Sequence, residues 1–126
     1  MKIGVSSYSF QRLIGAGSET QLSVIRRAAE LGFDAIEFTD LQPHDGSSEA
    51  DYAVQLHDEA ARCGIEISAY AVWADLLGGC DGDLAAETAR LCRKVDVAAI
   101  LGAKILRHDA AFGFPGTRGY LSLIHI

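Results

Sequence analysis

Three groups of residues in this 126-residue chain have side chains suited to chemistry. The first is Glu37, a carboxylate in the middle of Ala35-Ile36-Glu37-Phe38-Thr39, a run that is otherwise apolar and β-compatible. A charge in a buried strand costs several kcal/mol unless it is paired, hydrated or used. Glu37 is therefore either half of an internal ion pair, with Arg107 the natural partner, or a group aimed into a polar site. The second group is Arg107, His108 and Asp109, at the end of another short apolar run. The planar fork of an arginine suits a phosphate or carboxylate oxygen, and a histidine suits a metal or a proton transfer. Packing beneath a helix with a backbone partner is the competing role for His108. Neighbours on a strand face opposite ways, so either Arg107 with Asp109 or His108 enters a given site, and spacing leaves both arrangements open. The third group is aromatic: Tyr8, Phe10 and Trp73 stand at or beyond strand ends, where they either stack on the C–H groups of a sugar ring or cap the core.

Other polar residues read more plainly. His44 falls on a loop and His57 on a helix, both expected in solvent. Asp40, Asp75, Asp81 and Asp83 are scattered over different loops without EF-hand spacing and read as solvated or capping residues. Cys63, Cys80 and Cys92 are odd in number and form no CxxC pair, which argues against a disulfide framework and a zinc site. A net charge of −6, with no cluster of Lys and Arg, leaves no electrostatic footprint for nucleic acid or an anionic membrane. No apolar run approaches membrane-spanning length and no signal peptide follows Met1, so the default address is the cytoplasm. A hydrophobic share of 49% with 22% charged residues is the balance of one globular domain.

The elements that must position these groups repeat. Lys2–Phe10 reads as a strand that turns polar at Ser6, followed by a loop over 11–17. A helix capped by Ser18 with Gln21 follows, carrying Leu22, Ile25, Ala28, Ala29 and Leu31, and Gly32 closes it. The strand holding Glu37 comes next. A second helix runs from Ser48 to Cys63, with Glu49 and Asp51 in its first turn and Gly64 as its stop. Ile65, Ile67, Ala69, Ala71 and Trp73 alternate with polar neighbours as a third strand. A third helix, about Asp83 to Leu101, places Leu84, Leu91, Val95, Ala98 and Leu101 on an apolar stripe, and after Gly102 the stretch Lys104–Asp109 is a fourth strand. Equivalent strand isoleucines are 33 (Ile3 to Ile36), 31 (Ile36 to Ile67) and 38 (Ile67 to Ile105) residues apart. Each interval holds a helix and a short glycine-terminated return, which is what parallel neighbours joined by crossovers require.

Two architectures use that unit. A doubly wound nucleotide-binding fold needs a glycine-rich turn directly after strand one; Gly15-Ala16-Gly17-Ser18 comes nearest, but Thr20 stands where a third glycine belongs. A TIM barrel needs eight units and roughly 250 residues, with functional groups at the C-terminal ends of its strands. Three βα units and a fourth parallel strand make about half of one. The stretches KIGVSSYSF, LGFDAIEF, GIEISAYAVW and GAKILRHDA, in this order, resemble the N-terminal half of the sugar phosphate isomerase/epimerase superfamily, the xylose isomerase-like TIM barrels, which include an endonuclease IV branch. The resemblance covers residues 2 to about 116. It implies an α/β half-barrel over residues 1–119, with 120–126 (YLSLIHI) read as a non-native, adapter-derived tail and the natural reading frame expected to continue past Gly119.

The resemblance further implies metal-assisted proton transfer between adjacent carbons of a sugar or related polyol. The divalent metal's ligands and the acid/base carboxylates sit mostly on strands five to eight, so no catalytic residue and no metal ligand is assigned here. Residues 1–119 alone are expected to be inactive. Glu37, Arg107, His108, Asp109, Tyr8 and Trp73 are the candidate substrate-binding residues; an oligomer is compatible with this reading. Two alternatives stand beside it. An endonuclease IV-like phosphoesterase needs histidines ending strands three and four, and Trp73, flanked by Ala71 and Ala74, supplies none at strand three. A non-catalytic α/β binding module is the other.

Overall fold

Helix-to-strand returns set the chain's repeat. At Gly64 and Gly102 the backbone takes left-handed φ values of 69° and 74°, and their N–H groups close the last helical turns. The next residue but one is already entering a strand in the first case. The structure, a computed structural model, describes residues 1–113. In chain order it has β1 (Gly4–Ser6), a 3-10 turn at Ser7–Phe10, α1 (Gln11–Gly15), α2 (Gln21–Glu30), β2 (Ala35–Thr39), α3 (Glu49–Cys63), β3 (Glu66–Val72), a 3-10 turn at Gly79–Gly82, α4 (Leu84–Leu101) and β4 (Leu106–His108). All four strands lie in one sheet in the order β1-β2-β3-β4, each pair parallel. The fold is α/β, with the strand order and crossovers of half a TIM barrel. The tail at 120–126 and the loop through Pro115 lie outside the described residues. Among the described residues no helix is long and apolar enough to cross a membrane.

Residues paired across a parallel sheet face the same way, so the register names the two surfaces. Val5, Ile36 and Ile67 form one row and Phe38, Tyr70 and Leu106 another; both join the core beneath α2, α3 and α4. Val24, Ile25, Tyr52, Leu56 and Leu101 are fully buried there, and each aliphatic side chain of that kind contributes about 1.5–3 kcal/mol over leaving it in water. Ser6, Glu37 and Ala69 form a row on the opposite face, with Thr39, Ala71 and Arg107 as the next.

The strict alternation expected along β3 is broken. Ile36 pairs with Ile67 but Glu37 pairs with Ala69, leaving Ser68 as an extra residue whose hydroxyl donates to the Ile36 carbonyl at 3.3 Å. This bulge puts Ile67, Tyr70 and Val72 all in the core and turns the small Ala69 and Ala71 to the other face.

The first strand is also shorter than expected, and Ile3 is exposed. Past Ser6 the chain's serines replace the ladder: Ser6 Oγ accepts from Tyr8 N at 3.3 Å, and Ser7 Oγ accepts from Thr39 N at 3.0 Å. Residues 11–15, expected as loop, form α1. At the other edge β4 spans only Leu106–His108, and Ile105 is exposed.

The cap of α2 is Thr20 rather than Ser18. Thr20 Oγ1 accepts from Ser23 N at 3.1 Å, and Ser23 Oγ accepts from Thr20 N at 2.9 Å, a reciprocal capping box with serine in the third helical position. The later start buries Gln21, Val24, Ile25 and Ala28 and leaves Leu31 exposed. Ser18 Oγ donates only to the Leu13 carbonyl, at 3.0 Å. Replacing Thr20 by Ala is expected to cost about 1 kcal/mol in urea unfolding, and Ser18→Ala less than about 0.5 kcal/mol; the reverse order would return the cap to Ser18.

Candidate functional site

At the C-terminal ends of the strands the non-helical face of the sheet opens into a cavity of about 520 Å³. The strand rows supply its floor, and Ala71, which the bulge turns inward, leaves it room. Ser6, Glu37, Thr39 and Arg107 enter from the strands, while Tyr8, Asp40, Trp73 and Asp109 enter from the segments just beyond them. Five of the six candidate binding residues thus meet in one place.

Glu37 is half-buried, and Ser6 Oγ donates to its Oε1 at 2.9 Å. The ion pair with Arg107, one of its two expected roles, is not formed. Glu37 lies in the row of Ala69 and Arg107 in the next row along, and the Arg107 guanidinium lies 3.6 Å from Asp109 Oδ1 instead. Among the described residues Glu37 has no cationic partner; water reaches it through the open cavity.

Strand alternation resolves the choice at β4. Arg107 pairs with Ala71 and faces the cavity with Asp109, whereas His108 pairs with Val72 and is absent from the lining. His108 is exposed, with Nδ1 2.7 Å from the Asp109 carbonyl oxygen, so the candidate binding role for His108 is not supported by its placement. Phe10, considered with the aromatic wall, belongs to the core and is 9% exposed, because the 3-10 turn carries it beneath the sheet edge. His57 is exposed as expected, with Nδ1 3.2 Å from the Leu101 carbonyl oxygen, and His44 meets Tyr52 edge-on at 5.7 Å.

Trp73 is held at both ends of its peptide unit. Its N–H donates to Asp40 Oδ2 at 2.8 Å, and its carbonyl accepts from Arg90 Nη2 at 2.7 Å. The ring stacks on Phe112 with centroids 5.3 Å apart and lies 5.7 Å from the Arg90 guanidinium carbon.

Asp40, expected as a solvated loop residue, is part-exposed and also holds structural partners. It is clamped by Lys94 Nζ at 3.2 Å, and Lys94 also pairs with Glu49, to which the Tyr70 hydroxyl donates at 2.9 Å. Burial and the adjacent Glu49 carboxylate push the Tyr70 phenol well above its usual range, so it remains a donor.

Lys94 was legible in one respect. Glu87, Leu91, Lys94, Ala98 and Leu101 recur at spacings of four and three, and this is the face that α4 turns inward; Leu84 and Val95, assigned to the stripe, are exposed.

Glu87 is the other charge on that face, 1% exposed. It accepts from Arg90 Nε at 2.8 Å, from Asp75 N at 3.1 Å and from Cys80 Sγ at 3.3 Å. It pins the turn after β3, where Cys80 and Asp81 hold left-handed φ values of 50° and 58°. A Cβ on Gly79 would come within 2.7 Å of the Glu87 carboxyl carbon, so a side chain there would have to displace that carboxylate from its partners. Asp75 accepts from the Leu77 and Gly78 N–H groups and Asp83 caps α4, as capping readings of these residues require.

Hydrogen bonding from Arg90, then from Asp75 N and Cys80, holds the Glu87 carboxyl at about 2 against burial that acts in the other direction. A lowered folded value means that this stabilisation is complete above the unfolded range near 4.5 and is lost as pH falls toward about 2. In thermal melts Glu87→Gln is expected to lie below the wild type at pH 7 by roughly 1–3 kcal/mol, with the gap closing between about pH 4.5 and 2. A gap independent of pH would place the effect in packing rather than charge.

No protein-family model matches the chain, and no curated protein matches it. A solved structure described as a xylose isomerase-like TIM barrel/4-hydroxyphenylpyruvate dioxygenase fusion protein is similar over 90% of this chain and 18% of its own length, with 24% sequence identity and a TM-score of 0.65. The chain thus spans less than a fifth of that protein. The likeness establishes the fold: four consecutive parallel strands and their crossovers in the arrangement of a TIM barrel.

Proposed function

We propose that this chain forms the substrate-facing wall of a sugar-type isomerase or epimerase barrel that moves a proton between adjacent carbons of a sugar or polyol. The observation that carries the proposal is the convergence of Glu37, Arg107, Asp109, Tyr8 and Trp73 on one cavity at the C-terminal ends of parallel strands, the end at which barrel enzymes collect their site groups. The lining suits hydroxyl groups. Ser6 and Thr39 hydroxyls and the Gln11 and Gln42 amides both donate and accept, and Glu37 accepts only. Tyr8 and Trp73 add ring faces against which sugar C–H groups stack. The structural neighbour, described as xylose isomerase-like, points the same way.

In this reading Glu37 anchors a substrate hydroxyl while Ser6 holds its carboxylate in place, and Arg107 with Asp109 orients the far end. Among the described residues no three His, Cys, Asp or Glu side chains form a group that could hold a metal ion, and no metal ligand is assigned to them. The divalent metal and the proton-transfer groups belong, in the proposal, to residues outside 1–113, and a cytoplasmic setting is part of the same proposal. The phosphoesterase alternative requires histidines at the ends of β3 and β4. Trp73 stands just past β3, and His108 turns away from the cavity.

Trp73 is the chain's single tryptophan and lines the cavity, so its fluorescence reports occupancy. Titration with unphosphorylated pentoses, hexoses and cyclitols is expected to give a saturable change for at least one. Glu37→Ala, which removes a charged hydrogen bond, is expected to weaken that binding about tenfold or more. No saturable response to any neutral polyol would remove the sugar reading.

A further inference from the structure

Resting on that reading, we propose that the part of the substrate lying over β1–β4 is uncharged and hydroxyl-bearing, and that this part of the cavity rejects a phosphate group. Among the described residues three carboxylates, Glu37, Asp40 and Asp109, line it against one cation, Arg107. Arg107 faces Asp109 at 3.6 Å. The two cations behind the wall are also engaged: Lys94 lies between Asp40 and Glu49, and Arg90 is bound to Glu87 and to the Trp73 carbonyl. Among the described residues Glu37 has only the neutral Ser6 hydroxyl.

Helix N-termini are the other common seats for phosphate, through their free N–H groups. Here α1 carries no side-chain cap but continues from the 3-10 turn at Ser7–Phe10, its first N–H bonded to the Tyr8 carbonyl, and each of the three longer helices has a first-turn N–H taken by one of the chain's own side chains. Thr20 caps α2 at Ser23 N, Ser48 Oγ accepts from Asp51 N at 3.1 Å at the start of α3, and Asp83 Oδ1 accepts from Ala86 N at 3.0 Å at the start of α4. The first turns of α3 and α4 add Glu49, Asp51 and Glu87. A phosphate ester, carrying between one and two negative charges near neutral pH, would meet like charge that the neutral donors Ser6, Thr39, Gln11 and Gln42 do not offset, with Arg107 already facing Asp109. One like-charge pair about 4 Å apart in water weakens binding about fivefold.

The test uses Trp73 fluorescence with three probes: a neutral cyclitol or pentose, its monophosphate ester, and inorganic phosphate. At about 10 mM salt the ester is expected to bind at least about fivefold more weakly than its parent, with the gap narrowing at about 0.5 M salt as charge is screened. Inorganic phosphate is expected to give no saturable change. Glu37→Gln, close in shape, and Asp109→Asn, on an exposed side chain, should each narrow the gap about threefold. An ester that binds as tightly as its parent, or more tightly, at low salt overturns this inference and leaves the sugar reading standing. A saturable response to inorganic phosphate overturns it too. No response to the parent or to the ester removes the sugar reading and this inference with it.

Discussion

One extra residue in β3 determines which side chains reach the cavity. Without the bulge at Ser68, the pairing of Ile36 with Ile67 would carry Glu37 opposite Ser68 and Phe38 opposite Ala69. Tyr70 would then face the cavity, because a one-residue shift exchanges the faces of a strand. With the bulge, the fully buried Tyr70 lies in the core with its hydroxyl on Glu49, Ala69 pairs with Glu37 and Ala71 floors the cavity. The volume of the site and the anchoring of α3 therefore depend on the same irregularity. Arg107 inherits its orientation from this register, since it pairs with Ala71 on the shifted side.

The second constraint is the charge that α4 carries inward. Glu87 and Lys94 are expensive to bury alone, and each is surrounded by partners that only this fold brings together. Lys94 reaches the end of β2 and the start of α3; Glu87 reaches the turn after β3. Between them, through Asp40 and Arg90, they hold both the N–H and the carbonyl of Trp73. An exposed aromatic ring on a loop would ordinarily sample many positions, yet here the peptide that bears it is tied to two different elements. The wall of the cavity is positioned by polar contacts at its back rather than by burial of its face.

The unit repeat, the parallel sheet and the placement of Glu37 could be read in the residues because they rest on local signals: a capping serine at Ser48, stopping glycines at Gly64 and Gly102, and period-two alternation in β2. The bulge could not, since nothing in EISAYAV distinguishes an unpaired Ser68 from one in register, and pairing is a long-range property. The cap at Thr20 was masked by Ser18, whose hydroxyl turned instead to the Leu13 carbonyl. Lys94 and Glu87 were masked by their charge, because a stripe drawn only through apolar residues passes over buried ions. Spacing leaves open whether Arg107 or His108 shares the face of Glu37; the register puts Arg107 there, but a shared face is not a contact, and one row of offset suffices to give Arg107 to Asp109.

What Glu37 can accept follows from how open the site is. A carboxylate with one neutral hydrogen-bond partner is tolerable where water supplies the remaining donors, and costly once water is excluded. Any molecule that fills the cavity must therefore replace that water with donors of its own. A polyol can do so, because each hydroxyl brings a proton and no charge. A fully ionised phosphate brings only acceptors, and a purely apolar ligand brings nothing. The same carboxylate that costs the fold little while hydrated becomes the group that discriminates among ligands when the cavity is filled, and this links the solvent exposure of β2's inner face directly to the chemistry the site can accept.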